Sequence, residues 1–156
     1  MSNEEIVSHL ADFKHVITMR ATDVLPNALK IAYSVGVGAN ECLGNAYKVG
    51  DKAKAKVIEG LVLVCVDGKP HGVFGHCWNK IDGVHFDPTL DFTQPEHVKT
   101  IPGEKSFKYF EGAESSPRKY YKKAKDKNLS WFTDSLGFGR ILNGLGSEKL
   151  SELFYY

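Results

Sequence analysis

No stretch of this chain approaches the about 18 consecutive apolar residues that a membrane-crossing helix needs. The N-terminus, Met1 to Val16, opens acidic and carries no long apolar core. Neither a transmembrane span nor a cleaved secretory leader is expected. Cysteine is scarce and odd in number, three in 156 residues. A complete disulfide framework is therefore excluded, and free thiols in a reducing, cytoplasmic compartment are the natural reading. Delivery elsewhere by an unmarked route stays open. An excess of one charge is missing as well. The formal net charge is +1, without the strong basic balance by which nucleic-acid and membrane binders usually declare themselves. With no internal repeat and no linker-like stretch, residues 1–156 read as one domain. That length can bury a core unaided by disulfides or metals.

Ser2-Asn3-Glu4-Glu5 has the spacing of a capping box. Behind it, Ile6, Leu10, Phe13, Val16 and Ile17 recur at three- and four-residue intervals, which predicts an amphipathic helix over about residues 3–19. A shorter helix is expected from Pro26 to Ser34, stopped by Gly36 and Gly38. Asn40 is a good N-cap for a third helix with Cys42 in its first turn and Leu43, Ala46 and Tyr47 at helical spacing. A lysine-rich connector, Lys52 to Lys56, is expected to lead out of it. Val57 to Val66 is almost wholly apolar and predicts a central strand covered on both faces. Asp67-Gly68 signals a turn, His71 to Asn79 a second strand and Val84 to Asp87 a third, ended by Pro88. Residues 57–87 thus read as an antiparallel meander. Residues 99–127 hold nine basic side chains against four acidic ones, with Tyr109, Tyr120 and Tyr121 interleaved. Leu150 to Tyr156 reads as a final helix or strand.

A cysteine nucleophile needs a route to the thiolate, a neighbouring base and a group that orients that base. Cys42 sits at an expected helix N-terminus, where unpaired N–H groups and the helix dipole favour an anion. The same N–H groups are candidates for an oxyanion hole. His76 and Asp87 fall on consecutive strands. With a four-residue loop, Lys80 to Gly83, they stand directly opposite each other. With a two-residue loop, Asp87 moves opposite Trp78 and becomes a diagonal neighbour of His76, still on the same face. A one-residue slip would separate them. In either acceptable register Asp87 can hold the imidazole while the other ring nitrogen turns to Cys42, the logic of a catalytic triad.

The ordered pieces Cys-Leu-Gly-Asn-Ala at 42–46, Ile-Glu-Gly at 58–60, Gly-His-Cys-Trp at 75–78 and Phe-Asp-Pro-Thr at 86–89 resemble the transglutaminase-like branch of the papain-like cysteine enzymes, in particular small bacterial and phage members. The resemblance covers about residues 40–90. It implies an α+β fold in which N-terminal helices precede a catalytic cysteine at a helix N-terminus, packed on an antiparallel sheet. By matching, Cys42 is the nucleophile, His76 the base and Asp87 the orienter. The implied reaction is acyl transfer through a thioester: amide hydrolysis, deamidation or transglutamination. Its substrate would be a protein, a peptide or a small amide, and it calls for no cofactor and no metal. Residues 100–156 match no part of that pattern.

Plainer readings stand beside this one. Cys42 as a small buried hydrophobe, His76 as a structural histidine and Asp87 as a turn residue before proline are each ordinary. Cys65 and Cys77 read as core, Cys77 because alternation turns it away from the face of His76. His71 reads as exposed. Asn40, Asn45, Glu59, Trp78 and His85 are candidate substrate or oxyanion residues. His85 is also the reserve base, Glu59 is equally an edge residue, Asn45 a packing residue and Trp78 a core residue. Cys65, His71, His76, Cys77, His85 and Asp87 could instead make a metal-binding domain, although the spacing fits no zinc motif. A non-catalytic binding or inhibitor module on a degenerate cysteine-enzyme fold is the other alternative. The basic segment reads as a solvated face, with single-stranded nucleic acid a disfavoured partner.

Overall fold

In a computed structural model, residues 8, 10, 15–38, 41–93, 99–126 and 154–155 are described. They form a mixed α+β arrangement around one sheet of seven strands. In chain order these are β1 (His15–Val16), β2 (Thr18–Met19), β3 (Lys56–Val66), β4 (Lys69–Ile81), β5 (Val84–Phe86), β6 (Lys105–Ser115) and β7 (Phe154–Tyr155). The helices are α1 (Ala21–Val24), α2 (Ala28–Val35), α3 (Cys42–Ala53), α4 (Pro88–Phe92) and α5 (Pro117–Asp126). Spatially the strands run β1-β6-β3-β4-β5-β2, with β7 on β4.

β3 lies between β4 and β6, antiparallel to both. Its residues Val57 to Cys65 are all buried, as expected for a near-continuous run of Val, Ile and Leu covered on both faces. The meander over residues 57–87 is present. Its second turn is the shorter of the two considered. Asp82 and Gly83 both take positive φ, 49° and 80°, which makes a two-residue hairpin loop of the primed type. Ile81 then pairs with Val84, Lys80 with His85 and Asn79 with Phe86. Asp87 follows as the diagonal neighbour of His76.

β4 carries β5 along Asn79 to Ile81 and β7 along Phe74 and Gly75. His76 to Trp78 fall between these two pairings, and the candidate site residues converge there. Two glycine-related features set the packing nearby. Gly60 lies opposite His76, and a Cβ at Gly60 would stand 2.6 Å from the Trp78 ring and collide with the Phe110 carbonyl. Gly36 caps α2 in the left-handed conformation, φ 70°, where glycine carries no Cβ penalty.

Several sequence expectations change. The helix expected over 3–19 holds at Ser8 and Leu10, but His15–Val16 and Thr18–Met19 are strands. There β1 pairs with β6 and β2 pairs in parallel with β5, so sheet-edge hydrogen bonds outweigh helical periodicity in a stretch rich in β-branched residues. The expected connector 52–56 is shorter than read: α3 runs through Ala53 and is capped by Lys54 in the left-handed conformation, and β3 begins at Lys56. The basic segment contains β6 and α5, with Tyr109 and Tyr120 buried and Tyr121 half exposed. It is therefore not a uniformly solvated face. In 150–156, only Phe154–Tyr155 falls among the described residues, as strand.

Candidate active site

Cys42 is the first residue of α3, and Glu41 occupies the N-cap without a side-chain capping bond. The first-turn N–H groups of such a helix lack intrahelical carbonyl partners. Asn45 anchors this helix start. Its Nδ2 donates to the Gly38 carbonyl at 2.7 Å and to Thr89 Oγ1 at 2.9 Å, and its Oδ1 accepts from Gly38 N–H at 3.1 Å. Both amide hydrogens are thus spent on the framework. Asn45 ties the loop before the cysteine helix to the segment that carries Asp87, rather than offering donors to a substrate. Asn79 adds a second tie, its Nδ2 donating to the Ala46 carbonyl at 2.8 Å and to the Lys56 carbonyl at 3.1 Å.

Asp87 is more than a turn residue. It is the N-cap of α4, with Pro88 in the first turn, the position where the fixed proline φ and missing N–H are harmless. Its Oδ1 accepts from the N–H groups of Thr89 at 3.1 Å and Leu90 at 3.2 Å. Its Oδ2 lies 2.7 Å from His76 Nε2 and accepts from the Tyr109 hydroxyl at 2.7 Å. The carboxylate is therefore fixed from four directions. With Nε2 committed to Asp87, Nδ1 is the ring nitrogen left for Cys42, whose side chain interacts with that of His76.

The electrostatics follow from this geometry. Burial pushes the His76 imidazole toward neutrality, but the charge of Asp87, the charge of Cys42 and their hydrogen bonds outweigh it and raise it to about 10. Burial pushes the Cys42 thiol up. A hydrogen bond with Cys77, the charge of His76 and a hydrogen bond with His76 outweigh that and bring it down to about 6. Both shifts run in the direction that favours transfer of the thiol proton to the imidazole. Cys42 and His76 are fully buried and Asp87 is 2 % exposed, so no solvent screens the pair.

The remaining candidates are distributed around this centre. Trp78 is fully buried. Its ring runs nearly parallel to that of His76 at 22°, with a centroid separation of 6.3 Å, and backs the imidazole. Its indole N–H donates to Nδ1 of His85, the reserve base, at 2.9 Å. Glu59 is fully buried opposite Cys77 and its charge disfavours ionisation of both the Cys77 thiol and the Tyr120 phenol, so it belongs to the interior, not to an edge. Asn40 lies outside the described residues. Cys65 is buried in β3 and His71 is exposed on β4. Among the described residues no group of three or more His, Cys, Asp or Glu could hold a metal ion.

Three contributors escaped the sequence reading. Tyr109 was hidden in a segment read by its charge, and only the apolar spacing of Phe107, Tyr109 and Phe110 hinted at a strand. Tyr120 sits in the most basic helix, yet its hydroxyl lies 3.4 Å from Cys77 Sγ. Cys77 itself was assigned away from the site by strand alternation. No family model, curated protein or solved structure matches this chain.

Proposed function

We propose that this protein is a cysteine-dependent acyl-transfer enzyme of the transglutaminase-like or papain-like kind, acting on an amide of a protein, peptide or small molecule. The observation that carries the reading is the 2.7 Å contact between His76 Nε2 and a fourfold-held Asp87, with the other face of the imidazole given to Cys42. The Cys42 thiolate attacks the carbonyl carbon, forming a C–S bond. The first-turn N–H groups of α3 are the donors best placed for the resulting oxyanion. Collapse breaks the C–N bond, and the leaving amine takes its proton from the His76 imidazolium. Water or a second amine, deprotonated by His76, then attacks the thioester and releases Cys42. The chemistry needs no added cofactor. All three cysteines are free, which supports work in a reducing compartment such as the cytoplasm; no described helix is long and apolar enough to cross a membrane.

Burial of the triad favours a second reading, a non-catalytic module that retains the framework of such an enzyme, because a carbonyl reaches Cys42 only if the surrounding chain moves. Iodoacetamide labelling with mass-spectrometric mapping separates the two. An opening, activated site gives Cys42 labelling faster than Cys65 and Cys77 below the ordinary thiol pKa of about 8.5, slowed by His76→Ala. Labelling of Cys42 no faster than that of Cys65, unaffected by His76→Ala, would sink the enzyme reading.

A further inference from the structure

The Cys42 sulfur is met by two consecutive residues of β4, although alternation along a strand should offer it one. The framework explains the place of the second, Cys77. Asn79 on β4 fastens to the Ala46 carbonyl on α3. One helical turn back from Ala46 is Cys42, a step of about 6 Å. Two residues back from Asn79 on the same face is Cys77, a step of about 6.6 Å. The helix and the strand therefore bring these two thiols together on the side of the sheet that α3 covers, and the two side chains hydrogen-bond. Behind Cys77 stands the Tyr120 hydroxyl at 3.4 Å, contributed by α5. Cys42 and Cys77 are completely enclosed and Tyr120 is 2 % exposed, so no water competes for these bonds.

We propose that Cys77 is a positioning residue of the site: braced by Tyr120, its thiol donates a hydrogen bond to the Cys42 sulfur and shares with His76 the work of holding the nucleophile. The inference rests on the acyl-transfer reading above. The direction of donation is set by which group keeps its proton. Burial, together with the hydrogen bond and charge of Cys42, pushes the Cys77 thiol well above the usual thiol range. Burial and the neighbouring Cys77 likewise push the Tyr120 phenol well above its ordinary value. At neutral pH the chain thus reads Tyr120 O–H to Cys77 S–H to the Cys42 sulfur. It gives the sulfur a second holding contact besides the base, leaving His76 to exchange its proton with a leaving group.

The test is the ultraviolet thiolate titration of Cys42 in the full chain, read as the difference between each protein and the same protein carrying Cys42→Ala. It needs no reagent to enter the buried site. The parent inflection is expected at about 6. Cys77→Ala should raise it by about one pH unit, lowering the thiolate fraction below the new inflection about tenfold, the value of one hydrogen bond to a charged group. Cys77→Ser, which keeps a donor, should recover most of the shift. Tyr120→Phe should give a smaller rise and keeps the test alive if Cys77→Ala does not fold. An unchanged inflection in Cys77→Ala overturns the inference, and so do equal shifts in Cys77→Ala and Cys77→Ser, which would mean that packing alone matters. If His76→Ala raises the inflection and Cys77→Ala does not, only the role of Cys77 fails. If the parent titrates as an ordinary thiol and His76→Ala changes nothing, the acyl-transfer reading falls and this inference with it.

Discussion

His76 and His85 sit on neighbouring strands of one hairpin, and their surroundings drive them in opposite directions. Burial lowers both. For His85 it prevails, helped by Lys80 and only partly offset by the charges of Glu111 and Glu114. The nearest of these, Glu111 Oε2, is 3.9 Å from His85 Nε2, and its side chain is 30 % exposed. For His76 the stronger burial loses to a carboxylate at 2.7 Å that is itself buried and immobilised. Charge interactions fall with distance and with solvent access, so one short, dry, oriented contact outweighs two longer, wetter ones. The two rings teach that the acid–base character of a histidine here is set by how its carboxylate is held. Asp87 is held by an N-cap and a tyrosine; Glu111 is not held in that way.

Asp87→Asn is the change that should convert the first region into the second, and its effect is the largest. Asparagine still caps α4 through its carbonyl, so the fold should survive. Its NH2 group, however, faces His76 Nε2, which must then accept a hydrogen bond. The imidazole proton moves to Nδ1, the nitrogen that faces Cys42, and the ring ceases to be a base toward the thiol. Loss of a general base costs about 10²- to 10⁴-fold in rate. The expected outcome is a loss of that size in turnover of an amide or thioester substrate, accompanied by a stability loss of about 1–3 kcal/mol because the Tyr109 hydroxyl loses its acceptor. A loss of less than tenfold would mean that Asp87 serves the helix and not the site.

The next effect is a pH dependence that should be absent until one partner is removed. His76 is raised from 6.5 to about 10, so its contribution to stability is complete below about 6.5 and is lost as pH rises through about 10. Cys42 is lowered from 9.0 to about 6, so its contribution is complete above 9.0 and is lost as pH falls through about 6. Between roughly 6.5 and 9 the folded chain has only moved one proton from sulfur to imidazole. Folded and unfolded states then bind equal numbers of protons at this pair, and the pair adds no slope. Cys42→Ala leaves His76 facing Asp87, still raised, with nothing to compensate. Its stability relative to the parent should fall with rising pH from about 6.5, by at most about 1.4 kcal/mol per unit. Urea midpoints across this range measure it. Parallel curves for the two proteins would show that no proton is shared.

Much of this site could be read from spacing alone. The apolar run Val57 to Val66, the turn pairs Asp67-Gly68 and Asp82-Gly83 and the alternation between them fix two antiparallel hairpins. In those hairpins His76 and Asp87 share a face whichever acceptable turn closes the loop. Asp-Pro-Thr reads as a strand end yet carries a cap, because Asp-Pro serves both and only the N–H groups of Thr89 and Leu90 decide. Cys77 is core, as alternation predicts, but alternation describes one strand in isolation and does not show that a helix pegged at Asn79 brings Cys42 to it. Tyr109 and Tyr120 were invisible for a similar reason. Each reaches the site across the sheet or from a later helix, and pairings between distant segments leave no local pattern. The helix over 3–19 failed where edge pairing with β6 and β5 competed with a period that both structures could accept.

The smallest effect on the site should come from the region that resembles it most. His85→Phe removes the acceptor of the Trp78 indole N–H and leaves that buried donor unsatisfied, a loss of about 1–3 kcal/mol in stability. The Cys42 titration should not move. Trp78 touches His76 through its ring face, which the substitution leaves in place, and Gly60 still admits the indole beneath Phe110. Thermal melts and the thiolate titration of the same sample read the two quantities separately. A stability loss with an unmoved inflection keeps the two histidines independent. An inflection raised along with the stability loss would mean that Trp78 transmits the state of one ring to the other. The contrast between the two regions would then be a gradient along one stacked chain, His85 to Trp78 to His76.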